Sequence, residues 1–182
     1  MYVPQTQFDR FFPKKGKPMI FIHTPKCGGR FVGKAFGSRF KDCITLREPS
    51  LAGHLTWQQY RDVLKQLGDN IDRYEVFTVI RNPWDWHVSM FSYFKQDKDG
   101  KRTGSKARHE LFQKMEFGDY LEWLCEKPKE EQEQISDWIV DENGELRVTD
   151  ILRQETLRTD LEAFRDNQGE KIPIQNHKIK SH

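Results

Sequence analysis

The stretch MIFIHTPKCGGRFVGKAF, Met19 to Phe36, decides how the rest of the chain is read. Its first six residues, MIFIHT, form a short apolar run that suits a buried parallel strand. Pro25 and the pair Gly28–Gly29 interrupt it. From Arg30 onward apolar residues recur at Phe31, Val32, Ala35, Phe36 and Phe40, the spacing of a helix with one buried stripe. A strand therefore hands over to a helix through a turn carrying Lys26, two glycines and Arg30. The head of a helix has N–H groups without intrahelical acceptors and a partial positive charge, so it attracts phosphate or sulfate. Gly28 and Gly29 let the backbone approach an oxyanion without a Cβ in the way. Lys26 adds a flexible point charge. The turn reads as a cradle for an anion.

The same alternation continues downstream. TWQQYRDVLKQL predicts a helix capped by Thr56, with Trp57, Tyr60, Val63, Leu64 and Leu67 facing inward and Gly68 and Asn70 stopping it. YEVFTVI (74–80) is rich in β-branched and aromatic residues and predicts a strand. It breaks at RNP, after which WDWHVSMFSYFKQ (84–96) predicts a helix with Pro83 near its first turn. KDCITL (41–46) predicts another short strand, and residues 98–108 a polar loop. FGDYLEWLCE predicts a short helix with Asp119 near its start. The stretch ELRVTDILRQETL carries a further strand, and RTDLEAFRDNQG a helix closed by Gly169. Residues 1–18 read as an irregular lead-in and 170–182 as an irregular basic tail.

Strands alternating with helices predict an α/β architecture, a three-layer αβα arrangement with a central parallel sheet in one domain spanning 1–182. In such sheets ligands lie beyond the carboxyl ends of the strands. Two strand-to-helix turns carry chemistry there, TPKCGGR and RNPWDWHVS. In the second, Arg81 can fork onto a phosphate and Ser89 can add a hydroxyl from the following helix. Two anion-binding turns suit a ligand with two separated phosphate-like groups, the shape of an adenosine 3′,5′-bisphosphate derivative.

Composition narrows the class. The 30 basic and 28 acidic residues leave a net charge of only +2, so no global field recruits nucleic acid or anionic membrane, and any anion site is local. Three cysteines, Cys27, Cys43 and Cys125, are odd in number and widely spaced, which argues against a disulfide framework or a zinc site and for a reducing compartment. No apolar run reaches the ~20 residues of a membrane span, and the N-terminus lacks a continuous apolar segment of signal-peptide type. The expected setting is cytoplasmic.

These residues resemble a known family. IFIHTPKCGGRF looks like the 5′-phosphosulfate-binding loop of the PAPS-dependent sulfotransferases, above all their carbohydrate branch, whose usual form is close to IPKTGGTS. FTVIRNPWDWHVSMFSYF is similar to that family's 3′-phosphate segment, with Arg81 and Ser89 at the matching places. AGHLTW resembles its histidine-bearing stretch, and TDILRQETLRTDLEAF its later ILRFENL segment. The likeness implies a P-loop-like sulfotransferase fold and transfer of a sulfonyl group from PAPS, leaving PAP, to an acceptor hydroxyl or amine of a small molecule or saccharide, with no metal. It implies a cofactor site of Lys26, Cys27, Gly28, Gly29, Arg30, Phe31, Arg81 and Ser89. Lys26 would stabilise the leaving phosphate and His54 would act as general base. Cys27 and Arg30 stand where the family commonly has hydroxyl residues, so two donors to the 5′ group are replaced.

Two other readings stand beside this one. Gly28–Ala35, GGRFVGKA, is one residue short of the nucleotide-binding pattern GxxxxGK[ST], which would make the chain a magnesium-dependent kinase or NTPase. Against it, Ala35 lacks the metal-binding hydroxyl and the apolar spacing places Gly33 and Lys34 in a helix. The altered Cys27 and Arg30 also suit a catalytically silent module that binds PAP or PAPS.

Overall fold

The computed structural model describes residues 19–36, 54–98, 101–102 and 106–167. The lead-in, the expected strand at 41–46, Phe40, Cys43, Gly169 and the basic tail lie outside the described residues. The described residues fall into two compact units, one running through Ile80 and resuming at Ile135, the other Arg81–Gln134.

The first unit is built on a parallel sheet. Strand β1 (Met19–Ile22) pairs with β2 (Glu75–Ile80), Ile22 opposite Thr78. On the other side of β2 lies β5 (Asp150–Arg153), Ile80 opposite Arg153, which gives the order β1–β2–β5. Backbone bonds extend the β2–β5 ladder past both ends: Thr149 N–H donates to the Val76 carbonyl (2.7 Å) and Gln154 N–H to that of Ile80 (2.8 Å).

Side chains alternate across the strands, so each face needs its own cover. Ile20, Ile22 and Val76 meet Trp57, Tyr60 and Leu64 of helix α2 (Trp57–Gln66) in one buried cluster. On the opposite face the rings of Phe21 and Phe77 lie 5.0 Å apart, and Phe77 meets Phe164 of α6 (Leu157–Asn167) at 4.6 Å. Helices thus cover both faces, the expected αβα arrangement with a parallel sheet. Helix α1 (Gly29–Phe36) follows β1 and buries Phe31, Val32 and Ala35, as their spacing predicts.

Thr56 caps α2 as expected. Its hydroxyl accepts the Gln59 N–H, and the Gln59 side chain takes the Thr56 N–H in return. The predicted inner face is one residue too long, since Leu67 is 47% exposed. The helix has ended there, and the reversal at Gly68 (φ +77°) turns the chain away.

The second unit begins at the end of β2. Asn82 caps α3 (Pro83–Lys95) by accepting the Trp84 N–H at 3.0 Å, and Pro83 occupies the first turn. The segment read as a polar loop differs. It holds a two-stranded antiparallel ladder, β3 (Asp97–Lys98) with β4 (Lys101–Arg102), and then the start of α4 (Lys106–Gln113). The helix is driven by burial of His109 and Phe112, two positions too few to leave a periodic signal in a polar stretch. Helix α5 (Phe117–Glu126) starts where expected, with the Asp119 carboxylate accepting the Glu116 N–H.

A hydroxyl pair closes the end of β1. The Thr78 hydroxyl donates to the Ile22 carbonyl (2.9 Å), so its oxygen is left to accept from Thr24 (3.0 Å). The Ile22 carbonyl also takes the Thr24 N–H (3.0 Å). Both threonines are buried. Thr78→Val keeps the shape but removes the donor to Ile22 and the acceptor for Thr24. The expected loss is about 1–3 kcal/mol of stability in urea denaturation; an unchanged midpoint would mean that the clamp contributes nothing.

Candidate active site

The turn after β1 is shaped by two left-handed residues, Lys26 (φ +60°) and Gly28 (φ +87°), with Cys27 between them. The Cys27 N–H between them turns back to the Thr24 carbonyl (3.4 Å) and closes the turn. Gly28 ends the turn: its carbonyl accepts the N–H groups of Phe31 (2.8 Å) and Val32 (3.3 Å), leaving Gly29 and Arg30 at the head of α1. A side chain at φ +60° costs about 1–2 kcal/mol relative to glycine, yet the position holds lysine.

Packing supplies a second reason for the two glycines. A Cβ at Gly28 would meet Leu157 Cδ2 at 2.8 Å, and one at Gly29 would fall 2.0 Å from the His23 ring. Sequence alone assigns the space beside both glycines to an approaching anion. In the structure a leucine from α6 and the preceding histidine already claim that space. Cys27 is buried at 1% exposure and Phe31 is buried too, with Arg158 5.8 Å from the Phe31 ring centre; Arg30 is exposed.

His54 comes to this turn from far along the chain. Its Nδ1 lies 2.7 Å from the His23 carbonyl, and the two rings lie 4.3 Å apart, tilted by 46°. A carbonyl can only accept, so Nδ1 carries the hydrogen and the neutral ring keeps its lone pair on Nε2. The imidazole is exposed, while Leu55 beside it is buried and Thr56 begins α2, so the backbone that holds His54 is fixed. The structure thus joins Lys26, Cys27, Gly28, Gly29, Arg30 and His54 around one turn of the first unit. Gly33 and Lys34 lie inside α1, so GGRFVGKA does not form the loop of the rival nucleotide-binding pattern.

Arg81 and Ser89 belong to the second unit. Arg81 comes directly after β2 and is half-buried. Ser89 is buried on the inner face of α3 with Trp86, Met90, Phe91 and Phe94. Trp84 and Trp86 bracket Asp85 in sequence, and both are read by default as core residues. The helix separates them: Trp86 is 2% exposed and Trp84 is 73% exposed.

One pair in this unit escapes any reading of the sequence. His87 Nδ1 lies 2.9 Å from the Tyr120 hydroxyl, at a small solvent-open cleft lined by Trp86, Phe94, Phe112 and Trp123. Burial pushes the His87 imidazole below its ordinary value, and burial together with the charge of Glu133 pushes Tyr120 up to about 12. Thirty-three residues separate the partners, so no local signal links them.

No family model matches the sequence, and no curated protein matches it. Among solved structures, the chain is similar to the mouse sulfotransferase SULT7A1 complexed with PAP, at a TM-score of 0.38 and 14% identity. The match covers 100% of this chain and 75% of that one. Among the described residues, no helix is long and apolar enough to cross a membrane, and no three His, Cys, Asp or Glu side chains gather to hold a metal ion.

The His87 shift has a defined sign. A histidine held neutral by burial binds its proton less readily folded than unfolded, so stability is full above the ordinary value of 6.5 and falls as pH drops through it. The His87 ring resonances are expected to titrate below that value. His87→Phe is expected to flatten the loss of stability between pH 6.5 and the lowered folded value; a titration at or above 6.5 would contradict burial as the cause.

Proposed function

We propose that this chain is a PAPS-dependent sulfotransferase acting on an acceptor hydroxyl, in the manner of the carbohydrate branch that its motifs resemble. The observation that carries this reading is Lys26 held at φ +60° in the turn between β1 and α1. Strain of that kind in a non-glycine residue persists where the side chain has work to do, and a lysine at the head of a helix fits an anionic group.

PAPS, when bound, supplies the sulfonyl group and departs as PAP. Lys26 and the leading N–H groups of α1 hold the 5′ end and stabilise the charge that develops on the leaving phosphate. Arg81 and Ser89 take the 3′-phosphate, an assignment that rests on the RNP segment's resemblance and on the chemistry of a guanidinium fork. His54, with Nδ1–H committed to the His23 carbonyl, presents Nε2 to accept the proton of the acceptor hydroxyl as its oxygen bonds to sulfur. Cys27 is buried and takes no part as a nucleophile, since direct transfer between oxygens needs none. The setting is proposed to be cytoplasmic and the acceptor a small molecule or saccharide.

Calorimetry with PAP against magnesium-ATP tests the reading. PAP is expected to bind tighter; tighter binding of ATP would overturn it. Lys26→Gly relieves the backbone strain, so thermal stability is expected to hold or rise while PAP affinity falls about tenfold to a hundredfold, the worth of a charge-assisted contact. His54→Ala is expected to leave PAP affinity intact and lower sulfonyl transfer by about 10²–10⁴-fold. Binding of PAP by the wild-type chain without transfer to any acceptor in a saccharide and phenol panel would mark a silent binding module instead.

A further inference from the structure

His23 is set apart by the number of site elements its atoms meet. Its carbonyl accepts from His54 Nδ1, its ring touches the His54 ring, and the edge formed by its Cδ2 and Nε2 lies where a Gly29 side chain would begin. Behind it, the ring of Phe21 stacks at 5.7 Å and 21°, and Phe21 stacks in turn on Phe77 at 5.0 Å. A line of rings therefore runs from the buried sheet face, Phe77 to Phe21 to His23, and ends on the exposed His54.

We propose that His23 is a positioning residue of this site, its imidazole serving as the spacer that sets His54 at a fixed distance from the head of α1. This rests on the reading of His54 as base. An exposed imidazole is free to turn about two side-chain bonds, and a base must be held within a fraction of an ångström of its working place. The carbonyl bond fixes which nitrogen carries the hydrogen but leaves the ring free to swing about that bond. Contact with the His23 ring removes the swing. His23 does not act as the base itself, because its Nε2 edge is turned against the Gly29 backbone. Gly29 is accordingly glycine because the spacer needs its space, and the head of α1 and the base move together or not at all.

The dependence runs both ways, which makes it testable without reference to catalysis. Gly29→Ala alone is expected to lower the melting temperature, because its Cβ collides with the imidazole. In the His23→Ala background the same change is expected to be tolerated, with most of the lost melting temperature recovered. Side-chain relaxation of the His54 ring in the full chain is expected to report one held orientation in the wild type and a mobile ring in His23→Ala, with the Nδ1–H tautomer kept in both because the residue-23 carbonyl remains. For transfer, His23→Ala is expected to lower kcat about tenfold to a hundredfold, the scale of a small misplacement, with PAP affinity little changed. His23→Phe, which restores a ring but no base, is expected to recover most of it. A Gly29→Ala penalty of equal size in both backgrounds, or unchanged His54 ring mobility in His23→Ala, would overturn the proposal. If His23→Ala fails to fold, the His54 ring mobility and melting temperature of His23→Phe decide the matter, and a mobile His54 ring in that variant overturns it. Absence of any sulfonyl transfer, with the ring-mobility and Gly29 results as expected, would remove the reaction assigned to the site and leave the spacer in place.

Discussion

The Ile22 carbonyl accepts the Thr78 hydroxyl and the Thr24 N–H together, and the turn beyond β1 hangs from that point. A parallel strand ends without a tight hairpin to steady it, so the loop beyond is only as well placed as the last bonds of the ladder. Here a side chain from β2 reaches across to continue the ladder, and its own oxygen then takes the Thr24 hydroxyl. All three groups are buried, where an unmet donor costs about 1–3 kcal/mol. The arrangement therefore holds as a unit, and it fixes the exit direction of the chain just before Pro25.

The turn from Pro25 to Gly29 is under opposed demands. Lys26 accepts a left-handed backbone that glycine would tolerate more easily, whereas Gly28 and Gly29 leave no room for any side chain. Stability alone would favour a third glycine at 26. The position holds lysine all the same, which sets charge above backbone comfort. Around it the neighbours are rigid: Leu157 from α6 abuts Gly28, and the ring line through Phe21 abuts His23. A floor of packed side chains holds the turn in place.

Much of this is legible in the residues. The run MIFI, the β-branched YEVFTVI and the apolar spacing after Arg30 each carry a local period, and period survives into structure whenever one face must be buried. Thr56 announces its helix because a cap is a contact between residues three apart. Residues 106–113 give no such warning. Their helix is stabilised by His109 bonding the Phe94 carbonyl and by Phe112 packing on rings of α3 and α5, all distant in sequence. Leu67 and Trp84 mislead for the converse reason. Large apolar side chains are assigned to a core by default, but a helix end and a first turn place these two in solvent.

The sequence by itself determined the alternation of strand and helix and the charged turn at 25–30, since each is written in neighbouring residues, and the candidacy of His54 came with the resemblance of AGHLTW. Tertiary structure alone decided that His54 closes on the His23 carbonyl, that its hydrogen sits on Nδ1, and that Gly29 yields its side-chain space to an imidazole. Those facts depend on segments 31 residues apart meeting over a sheet edge. A one-dimensional pattern records which groups are available, and only the packed chain sets the distances at which they act.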